Sequence, residues 1–141
     1  MKKIIASFAL LAVAFFCQSF FQTNPLAVSI QNGQSLYATY CISCHMEDGN
    51  GIEGVFPSLV KTGNLSNNNR VVKVILQGVR GPIVVKGIPY NAEMAGVSLT
   101  DKEVSDVVNY IRNSWGNKAP QLKVSDVAVA KKAVVKGYTP Y

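Results

Sequence analysis

Histidine is nearly missing from this chain: among 141 residues there is one, His45. Cysteine is scarce as well, with three, and one of these, Cys17, sits in an apolar N-terminal stretch. A closed zinc site needs four ligands, and Cys41, Cys44 and His45 offer only three. No β-α-β pattern surrounds the Cys pair, which sets aside a thioredoxin-like redox centre. No nucleophile–base pair, phosphate-cradling glycine loop or carboxylate cluster is present to support a hydrolase or a transferase. Excess charge is also missing from the middle of the chain. The net charge of +6 comes from Lys2 and Lys3 and from residues 118–141, where five lysines face one aspartate. Residues 4–117 carry seven basic and seven acidic side chains, so the basic balance gives no argument for nucleic acid. The lysine-rich end reads as a solvated surface, or as a docking patch for an acidic partner or an anionic membrane.

A long hydrophobic run occurs only at the start. Lys2 and Lys3 precede the apolar or small run Ile4–Phe16, and Phe20 and Phe21 nearly extend it. Residues 1–22 therefore read as a signal peptide or an N-terminal membrane anchor. Cleavage after Ser19 or nearer Ala27 fits the first reading; lipid attachment at Cys17 is a third, with bulky Phe16 against it. All three place the rest of the chain in the periplasm or on the outer face of the cytoplasmic membrane.

Residues 23–32 read as a linker, with Asn24-Pro25 as a turn signal. Asn32 then caps a first helix from about Gly33 through the Cys pair, with Leu36, Tyr37 and Tyr40 on one side. Residues 46–69 are loop. Val71–Gln77 is a short helix closed by Gly78. Residues 79–98 contain Gly81, Pro82, Gly87, Pro89 and Gly96, which excludes a long regular element. Thr100-Asp101-Lys102-Glu103 forms a capping box, followed by Val104, Val107, Val108 and Ile111 at helical spacing. Residues 118–141 form a basic extension. A further helix over 125–136 would have Ser125 as cap and Val127, Ala130 and Val134 on one face. The fold class is all-α, with three to four helices.

Within this frame lies Cys41-Ile42-Ser43-Cys44-His45, which holds two of the three Cys and the sole His. C-x-x-C-H is the attachment signature of c-type haem. Both thiols can add to the vinyl groups of one ring, and the adjacent His then binds the iron. A second His for the sixth position does not exist. Met1 is the start residue, and Met46 adjoins His45 and cannot reach the opposite face. Met94 remains, in a loop before the capped helix; Lys86 and an open iron site are the weaker alternatives. His/Met ligation raises the potential and occupies both axial sites, which favours electron transfer over catalysis. Arg80 and Arg112 are candidate partners for the haem propionates, with solvent exposure as the alternative. Three helices over about 85 residues make a small core, so a covalent haem would complete it and the haem-free chain should fold poorly.

Residues 31–117 resemble a class I, mitochondrial-type cytochrome c of the bacterial single-haem kind. The resemblance rests on Gly33 with Tyr37, on Cys41–His45, on Phe56-Pro57-Ser58-Leu59, on Met94, and on Asn109-Tyr110-Ile111-Arg112-Asn113-Ser114-Trp115-Gly116. It implies a cytochrome c domain over 33–117, wrapped with loops around one haem c. It implies that the Pro57 carbonyl accepts a hydrogen bond from His45, and that Tyr110 packs near a helix crossing at Gly33. One departure is Ala95, where family members often have Pro after the ligand Met. The implied function is a one-electron carrier in an extracytoplasmic respiratory chain, not an enzyme. Implied partners are a quinol–cytochrome c oxidoreductase, a terminal oxidase, a periplasmic dehydrogenase or a nitrite reductase, with membrane association through the N-terminal segment. The rival reading is a haem-based sensor or small enzyme with a displaceable sixth ligand.

Overall fold

The computed structural model describes residues 24–141; the export segment expected over 1–22, Cys17 included, lies outside them. The elements are α1 (Pro25–Tyr40), α2 (Ile42–His45), a 3₁₀ turn (Gly63–Leu65), α3 (Asn68–Gln77), β1 (Ile83–Val85), β2 (Ile88–Tyr90), α4 (Asp101–Asn113) and α5 (Val124–Lys132).

The first helix begins earlier than the sequence pattern suggests. The Asn24 side chain accepts a hydrogen bond from the Leu26 N–H at 3.0 Å, and Pro25 takes the first helical position. Asn-Pro here is a cap followed by a residue whose missing N–H costs nothing at that position. Residues 25–32 are thus helix rather than linker, and Asn32 lies within the helix rather than capping it.

Helices α1 and α4 form the main crossing. Gly33 sits at its closest point, where a Cβ would overlap the Asp106 carbonyl and press on Tyr110. Only glycine lets the two backbones approach this far. Helix α4 starts at the expected capping box: the Thr100 hydroxyl accepts from the Glu103 N–H, and the Glu103 carboxylate accepts from the Thr100 N–H at 2.8 Å. Val104, Val107, Val108 and Ile111 of α4 are buried against Tyr37 of α1 and Val71, Val72 and Ile75 of α3. Residues 79–98 hold one short antiparallel hairpin, β1–β2, with Val85 opposite Ile88. Its turn uses Lys86 and Gly87, both at positive φ (51° and 81°). This matches the twist that two-residue hairpins require.

The C-terminal extension is part of the core. Leu122, Val127 and Ala130 are buried within the same cluster as α3 and α4. Helix α5 is shorter than expected, and its start is fixed by the Asp126 carboxylate accepting from the Lys123 N–H at 2.9 Å. Ser125 is inside the helix, not at its cap. Val134 falls beyond the helix end and is 97% exposed, so it does not share the face of Val127 and Ala130. A buried polar clamp joins extension and bundle. The Asn109 carboxamide donates to the Leu122 carbonyl at 3.1 Å and accepts from the Leu122 N–H at 2.7 Å. Satisfying both backbone groups of a buried residue this way avoids a desolvation cost of about 1–3 kcal/mol for each group left unpaired. No helix among the described residues is long and apolar enough to cross a membrane.

Candidate haem site

One cavity of about 480 Å³ opens between α2, α3, the hairpin and the loops around them. Cys41, Cys44, His45, Pro57 and Met94 all line it. Its other walls include Leu59, Leu65, Val71, Val74, Ile75, Val79, Ile83, Val85 and Ile111, so the interior is dominated by aliphatic side chains. Cavities of this size and character suit a large apolar cofactor.

The attachment motif spans the junction of α1 and α2. Cys41 ends the first helix, its N–H donating to the Tyr37 carbonyl at 2.9 Å, and its own carbonyl accepts from the His45 N–H at 2.9 Å. This single turn brings Cys41, Cys44 and His45 to the cavity wall together. Neither cysteine is in a disulfide. Burial, followed by the neighbouring Cys44, pushes the Cys41 thiol up to about 11, so it stays neutral. A neutral thioether suits this wall better than an anion would.

His45 is buried, at 9% exposure, and its Nδ1 lies 3.0 Å from the Pro57 carbonyl. The carbonyl can only accept, so Nδ1 carries the proton and Nε2 keeps its lone pair. Burial lowers the His45 pKa, against the opposing pull of the Pro57 hydrogen bond, and favours the neutral ring that a metal needs. The Pro57 loop is itself anchored. Leu59 N–H donates to the Gly49 carbonyl at 2.8 Å. The Asn117 carboxamide donates to the Leu59 and Ile111 carbonyls and accepts from the Lys61 N–H. Asn117 thus ties this loop to the end of α4, a role that no sequence pattern signalled.

The turn after His45 is fixed by aromatics. Tyr37, Tyr110 and Trp115 pack with ring centroids 5.2 to 5.6 Å apart, in tilted and edge-on pairs. The Tyr37 hydroxyl donates to the Met46 carbonyl at 2.7 Å, and the Trp115 indole N–H donates to the Glu47 carbonyl at 3.0 Å. Burial raises the Tyr37 pKa, which keeps this hydroxyl a donor. Gly49, at φ 70°, lies under the Trp115 ring with no room for a Cβ.

Met94 is half-buried on the loop after the hairpin. Its backbone pairs with Val79 in an isolated antiparallel bridge, at 2.8 and 2.9 Å. Lys86 is placed on the exposed hairpin turn, does not line the cavity, and reaches the Ser58 hydroxyl at 3.4 Å. Arg80 is exposed and does not line the cavity either. Arg112 is buried outside the cavity lining, donating from Nη1 to Asn68 at 2.6 Å. The basic and amide groups that do line the cavity are Arg70 and Asn64. Arg70 lies in the first turn of α3, with its N–H on the Asn67 cap. That cap was the available signal for its position.

These residues fit a covalently held haem: two unpaired thiols and a neutral imidazole on one helical turn, a thioether on the same cavity, and aliphatic walls. Among the described residues no cluster of three or more His, Cys, Asp or Glu could hold a metal ion by itself.

Comparison with known proteins agrees. The family model described as Cytochrome c matches residues 30–115. A cytochrome c-552 of Thermus thermophilus is 33% identical over 132 residues, covering 86% of this chain and 87% of that protein. The cytochrome c subunit of a quinone-dependent alcohol dehydrogenase from Gluconacetobacter polyoxogenes is 39% identical over 94 residues, covering 62% of this chain but 19% of the subunit. The cytochrome c subunit of gluconate 2-dehydrogenase from Pantoea cypripedii is 34% identical over 108 residues, covering 72% of this chain and 24% of the subunit.

Proposed function

This chain belongs to the cytochrome c family, with one covalent haem c, and on that premise we propose that it is a small electron carrier of an extracytoplasmic respiratory chain, its iron bound axially by His45 and Met94. The observation that carries this reading is the placement of both side chains on one aliphatic cavity beside the two attachment cysteines.

The haem supplies a one-electron couple between ferric and ferrous iron. The protein's work is to keep the surroundings of that couple unchanged as the electron comes and goes. Cys41 and Cys44 anchor the ring covalently. The Pro57 carbonyl fixes the orientation and tautomer of His45 and raises its basicity as a ligand. The Met94 thioether is a neutral ligand that favours the reduced state and raises the potential. The aliphatic walls exclude water, which lowers the local dielectric response to a change in charge. Tyr40 lines the cavity and is 48% exposed, so it marks where the site meets solvent. Redox partners dock at such an edge through small, transient contacts.

The chain accounts for most of cytochrome c-552 but for about a quarter or less of the dehydrogenase subunits. The relatives named as dehydrogenase subunits support an oxidoreductase as partner. Export is supported by the N-terminal charged and apolar run and by the attachment motif itself.

Potentiometry of the haem-loaded protein tests the proposal. A single reversible one-electron couple is expected. In Met94→Ala it should fall by on the order of 0.1 V, within the roughly 0.8 V range that axial ligands command. An unchanged potential in Met94→Ala would remove Met94 from the iron. Ready binding of carbon monoxide by the unaltered protein would favour a sensor or small enzyme instead.

A further inference from the structure

Backbone groups of an extended segment point alternately to its two sides. Residues 78–80 use this alternation to join two parts of the chain. Val79 donates to and accepts from Met94 on one side. Its neighbours turn to the C-terminal tail on the other. The Gly78 carbonyl accepts from the Tyr138 hydroxyl at 2.7 Å, and the Arg80 N–H donates to the Thr139 carbonyl at 3.1 Å.

The end of α3 is shared in the same way. The last carbonyls of a helix lack partners within it. Here the Ile75 carbonyl is taken by Val97 N–H of the Met94 loop at 2.8 Å, and the Gln77 carbonyl by Tyr141 N–H of the tail at 3.2 Å. The Tyr138 hydroxyl also reaches the Lys73 carbonyl at 3.0 Å. Gly78, at φ 70°, has the Met94 carbonyl on one flank and the Tyr141 Cβ on the other, with no room for a Cβ. The tail is not part of the core: the extension's buried core residues, Leu122, Val127 and Ala130, all precede it, and α5 ends at Lys132.

We propose that residues 136–141 are a positioning strap for Met94, holding segment 78–80, and through Val79 the Met94 backbone, against the cavity. Tyr138 is the main positioning residue, because its hydroxyl donates to the Gly78 carbonyl at 2.7 Å, directly beside Val79, with the Lys73 carbonyl also within 3.0 Å. The inference rests on the reading of Met94 as the axial ligand.

The test uses four haem-loaded variants: a chain ending at Val135, Tyr138→Phe, Met94→Ala, and Ser29→Ala as a control. Ser29→Ala removes a hydrogen bond to Asp106 and one from Asn109, at a residue remote from Met94 in the chain and absent from the cavity lining. The weak far-red ferric band of Met-ligated iron is followed with temperature beside helix unfolding, and carbon monoxide uptake is measured on the ferrous form. In the shortened chain the band should vanish well below the helix transition, and in Ser29→Ala the two should still coincide. Tyr138→Phe should raise carbon monoxide uptake about tenfold, the effect of losing roughly one hydrogen bond's worth of restraint. Band loss that tracks helix unfolding in the shortened chain, or unchanged uptake in Tyr138→Phe, would overturn the strap. If the shortened chain does not fold, the Tyr138→Phe uptake decides alone. A far-red band that survives Met94→Ala would overturn the ligand reading beneath it.

Discussion

His45 and Met94 line one cavity, but the chain secures them by different means. His45 stands on a helical turn of the motif that attaches the haem, is 9% exposed, and is fixed by its ring as well as its backbone. The turn that follows is held by Tyr37 and Trp115, themselves packed in the α1–α4 crossing. Met94 stands on a loop whose backbone is tied to Val79 at Met94 and to Ile75 at Val97, and Val79 in turn sits beside residues bonded to Tyr138 and Thr139. One side draws its rigidity from local turns and side-chain packing, the other from backbone pairing between segments distant in sequence. Pairing of that kind opens at lower cost than a packed core. The Met94 side should therefore yield first.

The largest effect should come from removing what both sides share. Cys41→Ser with Cys44→Ser leaves no covalent link. Haem should be lost on a denaturing gel, and the helical circular dichroism of the chain should collapse, because the cavity's aliphatic walls would then face water. Next is Gly78→Ala, which breaks the Met94 side alone. A side chain at φ 70° costs about 1–3 kcal/mol before the overlap with the Met94 carbonyl is counted. Its thermal midpoint should drop, and the far-red ferric band should disappear before the helices melt.

A smaller effect is expected from Tyr37→Phe on the His45 side. Losing the hydrogen bond to the Met46 carbonyl should cost about 0.5–1.5 kcal/mol in denaturant unfolding. The far-red band should keep its intensity in the native state, which sets this variant apart from Gly78→Ala. Acid should act on the His45 side only, since a thioether does not titrate. Burial holds the folded-state pKa of His45 below its ordinary value, so the unfolded chain binds the proton more readily. Its contribution to stability is whole above about pH 6.5 and is lost as pH falls toward the depressed value. Bonding to iron shifts the balance in the same direction. Denaturant midpoints measured down a pH series should decline in that window, with no matching rise between pH 7 and 8.

This contrast also explains what the sequence disclosed. The His45 side was legible because its chemistry is compressed into five consecutive residues, Cys41 to His45. The capping box at Thr100 and Glu103 was legible because it is local, and the glycine crossing at Gly33 because its pattern resembles a known helix pairing. Met94 emerged by elimination, from the scarcity of other ligands rather than from any pattern around it. The start of α1 was misread because Asn-Pro serves equally as a turn and as a cap with its first helical residue. Arg112 is an arginine in the last turn of an amphipathic helix, where exposure is the ordinary outcome, yet it is buried and donates to Asn68 at the surface. The strap was invisible because its contacts run through backbone carbonyls and amides, which every residue type possesses. The docking of Leu122 on Asn109 was hidden for the same reason.

The measurement that bears most directly on the central claim is the visible spectrum of the haem-loaded protein. It would be recorded oxidised and reduced, with and without carbon monoxide, beside Met94→Ala. The account predicts a low-spin c-type spectrum, a weak far-red ferric band that Met94→Ala abolishes, and only slight, slow carbon monoxide uptake by the unaltered protein. A high-spin spectrum, or ready carbon monoxide binding with Met94 intact, would contradict it.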